Sequence, residues 1–254
     1  MLFYKTAEEI NLIKKSCQLV SQTHAMLSKF IKPGMSTLKL DSLAFDFIKD
    51  HHAQPAFLNY NGFPNSLCIS VNDTIVHGIP SKYELHEGDI VSIDCGVIKD
   101  TFYGDSCYTF NLGANDNVVY DFVNIVKQSL YKGIEAAKEG KRVGDIGFAI
   151  QKFISENGFS IVKEMVGHGI GKKLHEEPDV PNYGKPKSGI KLKKGMVLAI
   201  EPIVNFGSRQ CKLEDDGWTL KTKDGKWSAH FEHTIAIDGN EPEILSDFEI
   251  IEQQ

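Results

Sequence analysis

Apolar positions change their period several times along the chain, and each change marks an element. Ile10, Ile13, Cys17, Val20 and Ala25 recur at the spacing of one helical face. Thr6-Ala7-Glu8-Glu9 just ahead of them is a capping box, and Pro33-Gly34 closes the segment, so a helix is predicted to about residue 30. A second helix is expected over 37–52, with Leu40, Leu43, Ala44, Phe47 and Ile48 as its core stripe. Helical spacing returns over about 116–137 and 143–157. Between these runs the period drops to two. Residues 67–71 read as a short strand. Residues 90–106 read as strand, turn and strand, with Val91, Ile93, Cys95 and Val97 alternating with Ile90, Ser92, Asp94 and Gly96. Residues 159–162, 195–204 and 230–237 are further predicted strands. The Gly- and Pro-rich segments 54–64 and 167–189 read as loops, and His77-Gly78-Ile79-Pro80 as a turn.

The pattern also repeats. Pro33-Gly34 through Leu40, Phe47 and Ile48 matches Glu139-Gly140 through Ile146, Phe153 and Ile154 in spacing. The run from His86 to Asp94 matches that from Lys193 to Glu201 in its glycine, its apolar positions and its acidic end. The run from Asp105 to Phe110 sits beside that from Glu232 to Ile237. Three matches in one order predict a single α/β (α+β) domain spanning 1–254. Its pseudo-symmetric halves are about 6–112 and 113–250, and their acidic hairpins face one centre. The second half carries an insertion between its two acids.

That centre is where chemistry is expected. A turn centred on Lys99-Asp100 would set Asp94 directly opposite Asp105, with Cβ atoms about 4.5–5.5 Å apart. A solvated edge hairpin tolerates such a pair; a buried one needs a cation between the charges. With Glu201 and Glu232 added, four carboxylates would share a cavity, and burying them unpaired would be prohibitive. Oxygen donors with one imidazole suit Mn, Fe, Co or Zn, and four carboxylates can bridge two ions about 3.5–4 Å apart. Three histidines stand in suggestive settings: His168 in Gly167-His168-Gly169-Ile170-Gly171, His175 in Leu174-His175-Glu176-Glu177-Pro178, and His77 before Gly78. A loop histidine is by default a surface residue. His24, His51, His52, His86, His230 and His233 stay in that class, although the last two flank Glu232 closely enough to support it.

Composition narrows the class. The 254 residues are 41% hydrophobic with a formal net charge of −6, which argues against a dedicated nucleic-acid binder. No apolar run approaches a membrane span, and the first residues lack a signal-peptide core. Five scattered cysteines (Cys17, Cys68, Cys95, Cys107, Cys211) without a C-x-x-C pair read as reduced thiols of a cytoplasmic protein. Against the acidic balance stands a basic cluster of Lys172, Lys173, Lys185, Lys187, Lys191, Lys193 and Lys194. It is either a solvated loop face or a contact with ribosomal RNA near the exit of the nascent chain.

Taken in order, His77-Gly-Ile-Pro, Asp94, Gly104-Asp105, Gly167-His168-Gly-Ile-Gly, His175-Glu-Glu-Pro, Ile200-Glu201-Pro202 and His230-Phe-Glu232-His-Thr resemble type I methionine aminopeptidase over essentially the whole chain. The resemblance implies the pita-bread fold, a curved antiparallel sheet with helices on its outer face. It implies two divalent metal ions (Co, Mn, Fe or Zn) held by Asp94, Asp105, His168, Glu201 and Glu232, His168 being the ligand without a symmetric partner. The implied reaction is removal of the amino-terminal methionine from nascent chains with a small second residue, by a monomeric enzyme. Glu201 would exchange protons with the attacking water, His175 would bond the carbonyl oxygen, and His77 would contact the scissile amide. The methionine pocket would fall to Tyr60, Phe63, Cys68, Leu174 and Trp218, with Phe57 nearby. Phe57 stands where a small residue is usual and Leu174 where an aromatic is common. An alkali ion would sit on backbone oxygens at Asn72, Thr74 and Ser228. Proline-specific peptidases of the same fold carry a substantial amino-terminal domain, whereas here the first acid is already at position 94. The short step from Glu201 to Glu232 leaves no room for the helical insertion of the type II enzymes. A non-catalytic pita-bread binding module would have lost ligands, and all five are present. The short bacterial-style form, without a zinc-finger or Pro-rich extension, is therefore expected.

Overall fold

The computed structural model describes residues 2–113, 117–239 and 241–253. Helix α1 (Ala7–Ser28) begins at the capping box: the Glu9 amide donates to Thr6 Oγ1 (3.3 Å), and the Thr6 amide donates to the Glu9 carboxylate (3.1 Å). Helix α2 (Thr37–Asp50) begins where Ser36 Oγ accepts from the Lys39 amide. Helices α3 (Asn117–Ala136) and α4 (Val143–Glu156) follow, the expected start at residue 116 lying outside the described residues.

Among the described residues the main sheet has nine strands, and every pairing is antiparallel. Across it lie Gln54–Pro55, Ile90–Lys99, Phe102–Asn111, Glu232–Ala236, Val197–Ile200, Gly167–Gly169 and Glu176–Val180. Leu67–Val71 also pairs with Ile90–Lys99, and Glu243–Ile244 with Glu232–Ala236. Two three-stranded sheets flank this one; one joins Ser228–His230, Ile203–Asn205 and Ser160–Ile161, the other Cys211–Leu213, Leu220–Thr222 and Thr74–Val76.

Period two decides which face the helices cover. Leu19, Val20, Leu40, Ala44 and Ile48 of α1 and α2 pack on Val91, Ile93, Cys95 and Val97. Phe122, Val126, Leu130, Ile146 and Ile150 of α3 and α4 pack on Leu198, Ile200, Phe231 and Ile235. Burial of each Leu, Ile, Val or Phe among these is worth about 1.5–3 kcal/mol, so the helices are fixed to this face. Asp94, one residue out of phase, points to the other.

Four expectations change. The hairpin turn is centred on Asp100-Thr101, both left-handed (φ 50° and 68°), not on Lys99-Asp100. The register therefore moves by two: Asp105 faces Gly96 and Asp94 faces Cys107, so the two acids are diagonal neighbours instead of direct opposites. A shift of two preserves the face, and both still point away from the helices. Segment 167–189 is not all loop, since it contains two strands of the main sheet. Its glycines mark close approach of backbones: a Cβ at Gly167 would lie 2.3 Å from Ala199 O, and one at Gly169 2.4 Å from Glu177 O. The strand expected over 195–204 breaks at Glu201-Pro202, where proline has no N–H for the ladder. That over 230–237 breaks at Phe231.

Candidate metal centre and adjoining pocket

Cys68, Asp94, Cys107 and Glu232 lie directly across from one another on four neighbouring strands, so their side chains share the face away from the helices. Asp105, two residues from Cys107, joins them. Glu201 directly follows the Ile200–His233 ladder pair, released by the break at Pro202. His168 reaches the same place from the short strand Gly167–Gly169.

One ligand atom each of Asp105, His168 and Glu232 lie within 4.8 Å of one another. His168 Nε2 is 3.9 Å from Asp105 Oδ2 and 3.7 Å from Glu201 Oε1. Its Nδ1 lies 2.9 Å from Gly169 O, and a carbonyl only accepts, so Nδ1 carries the hydrogen and Nε2 offers a lone pair to the carboxylates. Burial pulls the His168 pKa down to about 3, which keeps the ring neutral. Burial pushes Asp94 up to about 7 and Asp105, Glu201 and Glu232 well above the usual carboxylate range, with repulsion among the acids adding to the last three. Asp94 Oδ1, Asp105 Oδ1 and Glu232 Oε1 are buried without a hydrogen-bond partner. Orphaned oxygens around an imidazole lone pair are what a divalent cation satisfies, and the donor set suits Mn, Fe, Co or Zn. Burial pushes the Cys68 and Cys107 thiols well up, so neither offers a thiolate.

The centre opens into a cavity of about 230 Å³ that is walled by Phe57, Tyr60, Asn61, Phe63, Cys68, Leu174, His77, His175 and Trp218. All six apolar residues expected around a methionine side chain are thus brought together. Phe63 meets Trp218 edge-on at 5.3 Å, and Trp218 lies 6.2 Å from His77. His175 stands 4.4 Å from His168, and Tyr60 OH lies 2.8 Å from His175 Nδ1. Phe57 rests on Gly96, where a Cβ would come within 2.6 Å of its ring. His77 itself is left-handed (φ 56°), a conformation that costs energy for a non-glycine residue and aims its ring at the site.

A model of metallopeptidase family M24 matches residues 11–239. The chain belongs to that family. It is 49% identical to the methionine aminopeptidase of Clostridium perfringens over 97% of this chain and 99% of that one. The solved methionine aminopeptidase of Rickettsia prowazekii superposes with a TM-score of 0.96 at 37% identity, covering 97% of this chain and all (100%) of that chain. Both the antiparallel sheet and its outer helices are those of the pita-bread fold. A prolidase from Pyrococcus horikoshii superposes with a TM-score of 0.79 at 23% identity, a likeness of fold alone; the match covers 96% of this chain and 63% of that one. As an M24 member the chain is a metal-dependent hydrolase.

Other candidates fare variously in the metallopeptidase. His230 Nε2 is buried 3.7 Å from Glu201 Oε2, whereas His233 turns to the helix side, where Nδ1 meets Ser246 Oγ at 2.7 Å and Phe248 stacks on the ring at 3.7 Å. The Ser228 amide donates to Asn72 O (2.8 Å), which joins two of the three alkali-ion candidates; Thr74 lies two residues along from Asn72. All seven lysines of the basic cluster are exposed, and Lys172 and Lys194 pair with Glu9 (3.4 Å) and Asp238 (2.6 Å). Two wall features go beyond the sequence motifs. Asn61 enters the pocket from a stretch in which Asn59 is also left-handed, and the signal for it is Asn-Tyr-Asn-Gly, since asparagine tolerates φ > 0. The Asp216 carboxylate accepts from the Trp218 and Thr219 amides (2.8 Å each) and Thr219 Oγ1 (2.6 Å), which fixes Trp218.

Proposed function

We propose that this metallopeptidase is a methionine aminopeptidase that removes the amino-terminal methionine from new polypeptides with a small second residue. One observation carries the reading: the carboxylate–imidazole centre forms the floor of an apolar pocket that suits a single unbranched side chain. In this reading the whole chain is one catalytic domain, with halves of about 6–112 and 113–250. It works as a cytoplasmic monomer, and no helix among the described residues is long and apolar enough to cross a membrane.

Asp94, Asp105, His168, Glu201 and Glu232 would hold two divalent metal ions. Metal bound there would lower the pKa of a water towards neutrality and act as a Lewis acid on the scissile carbonyl. Glu201 would take the proton from the attacking water and return it to the leaving amine. Burial lowers the pKa values of His175 and His77, so both rings are neutral and donate through N–H. Tyr60 OH meets His175 Nδ1, which leaves Nε2 of that ring to face the carbonyl oxygen. His77 contacts the scissile amide, beside Trp218. Phe57, Tyr60, Phe63, Cys68, Leu174 and Trp218 take up the methionine side chain.

The test is hydrolysis of Met-Ala-Ser, Met-Lys-Ser and Ala-Pro by protein loaded in turn with each metal. Release of methionine from the first is expected, and preferred cleavage of Ala-Pro would establish the proline-specific alternative. Glu201→Gln is expected to lower turnover by about 10²–10⁴-fold; an unchanged rate would overturn its role and favour a binding module. We also assign the exposed lysines to contact with ribosomal RNA beside the nascent chain. Reversing Lys187, Lys191 and Lys194 to Glu is expected to weaken co-sedimentation with ribosomes, most visibly at low salt. Equal pelleting at every salt concentration would refute it.

A further inference from the structure

The strands Phe102–Asn111 and Glu232–Ala236 carry Asp105 and Glu232, yet they share only two ladder pairs, Cys107–Glu232 and Ser106–His233. Continued in register, the ladder would next join Asp105 to Thr234 at one end and, past Tyr108–Phe231, Thr109 to His230 at the other. At the first place the Thr234 backbone turns to another segment, its amide donating to Ser246 Oγ (3.3 Å) and its carbonyl accepting from the Leu245 amide (2.9 Å). Its hydroxyl alone crosses to the neighbouring strand. At the second place a threonine hydroxyl takes both backbone groups of its partner. Thr234 Oγ1 donates to Asp105 O (2.7 Å). Thr109 Oγ1 donates to His230 O (2.6 Å) and accepts from the His230 amide (3.1 Å). Ser92 Oγ lies 2.8 Å from the same Thr109 oxygen and, with the Thr109 hydrogen already committed, is its second donor. Between them Ser106 Oγ donates to Glu232 O (2.6 Å). All four hydroxyl residues are buried.

A hydroxyl inserted where an amide would meet a carbonyl holds two backbones further apart than a ladder does. The backbone oxygens it holds belong to Asp105, Glu232 and His230, the residue two before Glu232. We propose that Thr109 and Thr234 are positioning residues, hydroxyl wedges at the two ends of this short ladder that set the gap between the Asp105 and Glu232 carboxylates and thereby the affinity of the metal bound between them. This rests on the ligand assignment above. Threonine suits the task because its methyl packs as a strand residue does while its hydroxyl has both a donor and an acceptor role. Valine keeps that shape and removes the wedge; serine keeps the wedge and removes the methyl.

The experiment titrates cobalt(II) alone into the metal-free full-length protein and records affinity by calorimetry, the visible spectrum of the bound ion, and thermal unfolding. Thr234→Val and Thr109→Val are each expected to weaken cobalt binding by about 10-fold or more and to shift the spectrum. Thr234→Ser is expected to stay within about 3-fold of the unsubstituted protein. With metal saturating, kcat for Met-Ala-Ser is expected to fall more than KM rises, because the pocket walls are untouched. If Thr234→Val does not fold, Thr234→Ala is compared with Thr234→Ser on the same readouts. Cobalt binding unchanged in the valine or alanine variants, or weakened equally by serine, would overturn the proposal. Asp105→Asn separates the two levels: if it binds cobalt as tightly as the unsubstituted protein, the ligand assignment fails; if it loses cobalt while Thr234→Val keeps it, only the wedge fails.

Discussion

The two acidic strand pairs hold their carboxylates by different means. Ile90–Lys99 and Phe102–Asn111 share ten ladder pairs without interruption, and Asp94 and Asp105 sit well inside them. Val197–Ile200 and Glu232–Ala236 share four, and each strand breaks beside its acid. In the first pair the backbone ladder does the holding. In the second, side chains take over: Asn182 Nδ2 donates to Glu201 O (2.8 Å), and Ser106 Oγ to Glu232 O. The breaks also let the chain leave the sheet between Glu201 and Glu232, and that excursion returns Trp218 to the pocket wall. A continuous ladder gives rigidity; a broken one gives room for a wall and for a carboxylate released from the ladder.

The contrast is broken most severely at Gly104. That residue lies on the helix side of the long hairpin, where a Cβ would stand 2.4 Å from the Cys17 amide nitrogen and 2.6 Å from Ser16 C of α1. Backbone cannot yield, so Gly104→Ala is expected to cost about 3 kcal/mol in urea unfolding. Gly96, on the opposite face and the next strand, would first meet side chains, the Phe57 ring at 2.6 Å and the Ala56 Cβ at 2.9 Å, and of these the ring can swing. Gly96→Ala is expected to cost about 1 kcal/mol and to raise KM for Met-Ala-Ser through the displaced ring. Equal costs at the two glycines would deny the difference between the faces.

A smaller effect sharpens the electrostatic side. In metal-free protein Asp94 holds its proton up to about pH 7, against 3.8 as its ordinary value. Below the ordinary value both folded and unfolded chains are protonated and the acid costs nothing. Between the two the unfolded chain ionises first, so stability is lost as pH rises and the full cost is present above about 7. Asp94→Asn is therefore expected to stabilise the metal-free protein at pH 8 by on the order of 2 kcal/mol, with the gain fading towards pH 4. With saturating metal the order reverses, because the unsubstituted centre gains binding energy that the variant lacks. A gain that is the same at both pH values would show that the carboxyl is not buried as a charge.

Much of this fold and site is legible in the residues alone. The apolar stripes of α1 to α4 and the capping box at Thr6 mark the helices to within a few residues, because an amphipathic face of several turns is a strong periodic signal. The candidate ligands and pocket residues are legible through ordered motifs. The broken strands are not, since Ala-Ile-Glu-Pro-Ile and Ala-His-Phe-Glu-His read as continuous apolar alternation and only Pro202 hints otherwise. Nor is the pairing of 167–169 and 176–180, because glycine and proline read as loop formers when the reason for Gly167 and Gly169 is crowding by Ala199 O and Glu177 O.

By itself, then, the sequence determined which residues share a face. Period two places Asp94 away from Val91, Ile93 and Val97, and a register error of two residues leaves that unchanged. What only the tertiary structure decided is who stands opposite whom. The left-handed pair Asp100-Thr101 set Asp105 against Gly96, which made room for Phe57. Chain segments far apart in sequence delivered Tyr60 to His175 and Trp218 to Phe63. Ser106, Thr109 and Thr234 look like any strand residues until their hydroxyls are seen to replace backbone bonds. Facing is a local property of an extended chain; register and partnership depend on distant backbone, which no local pattern records.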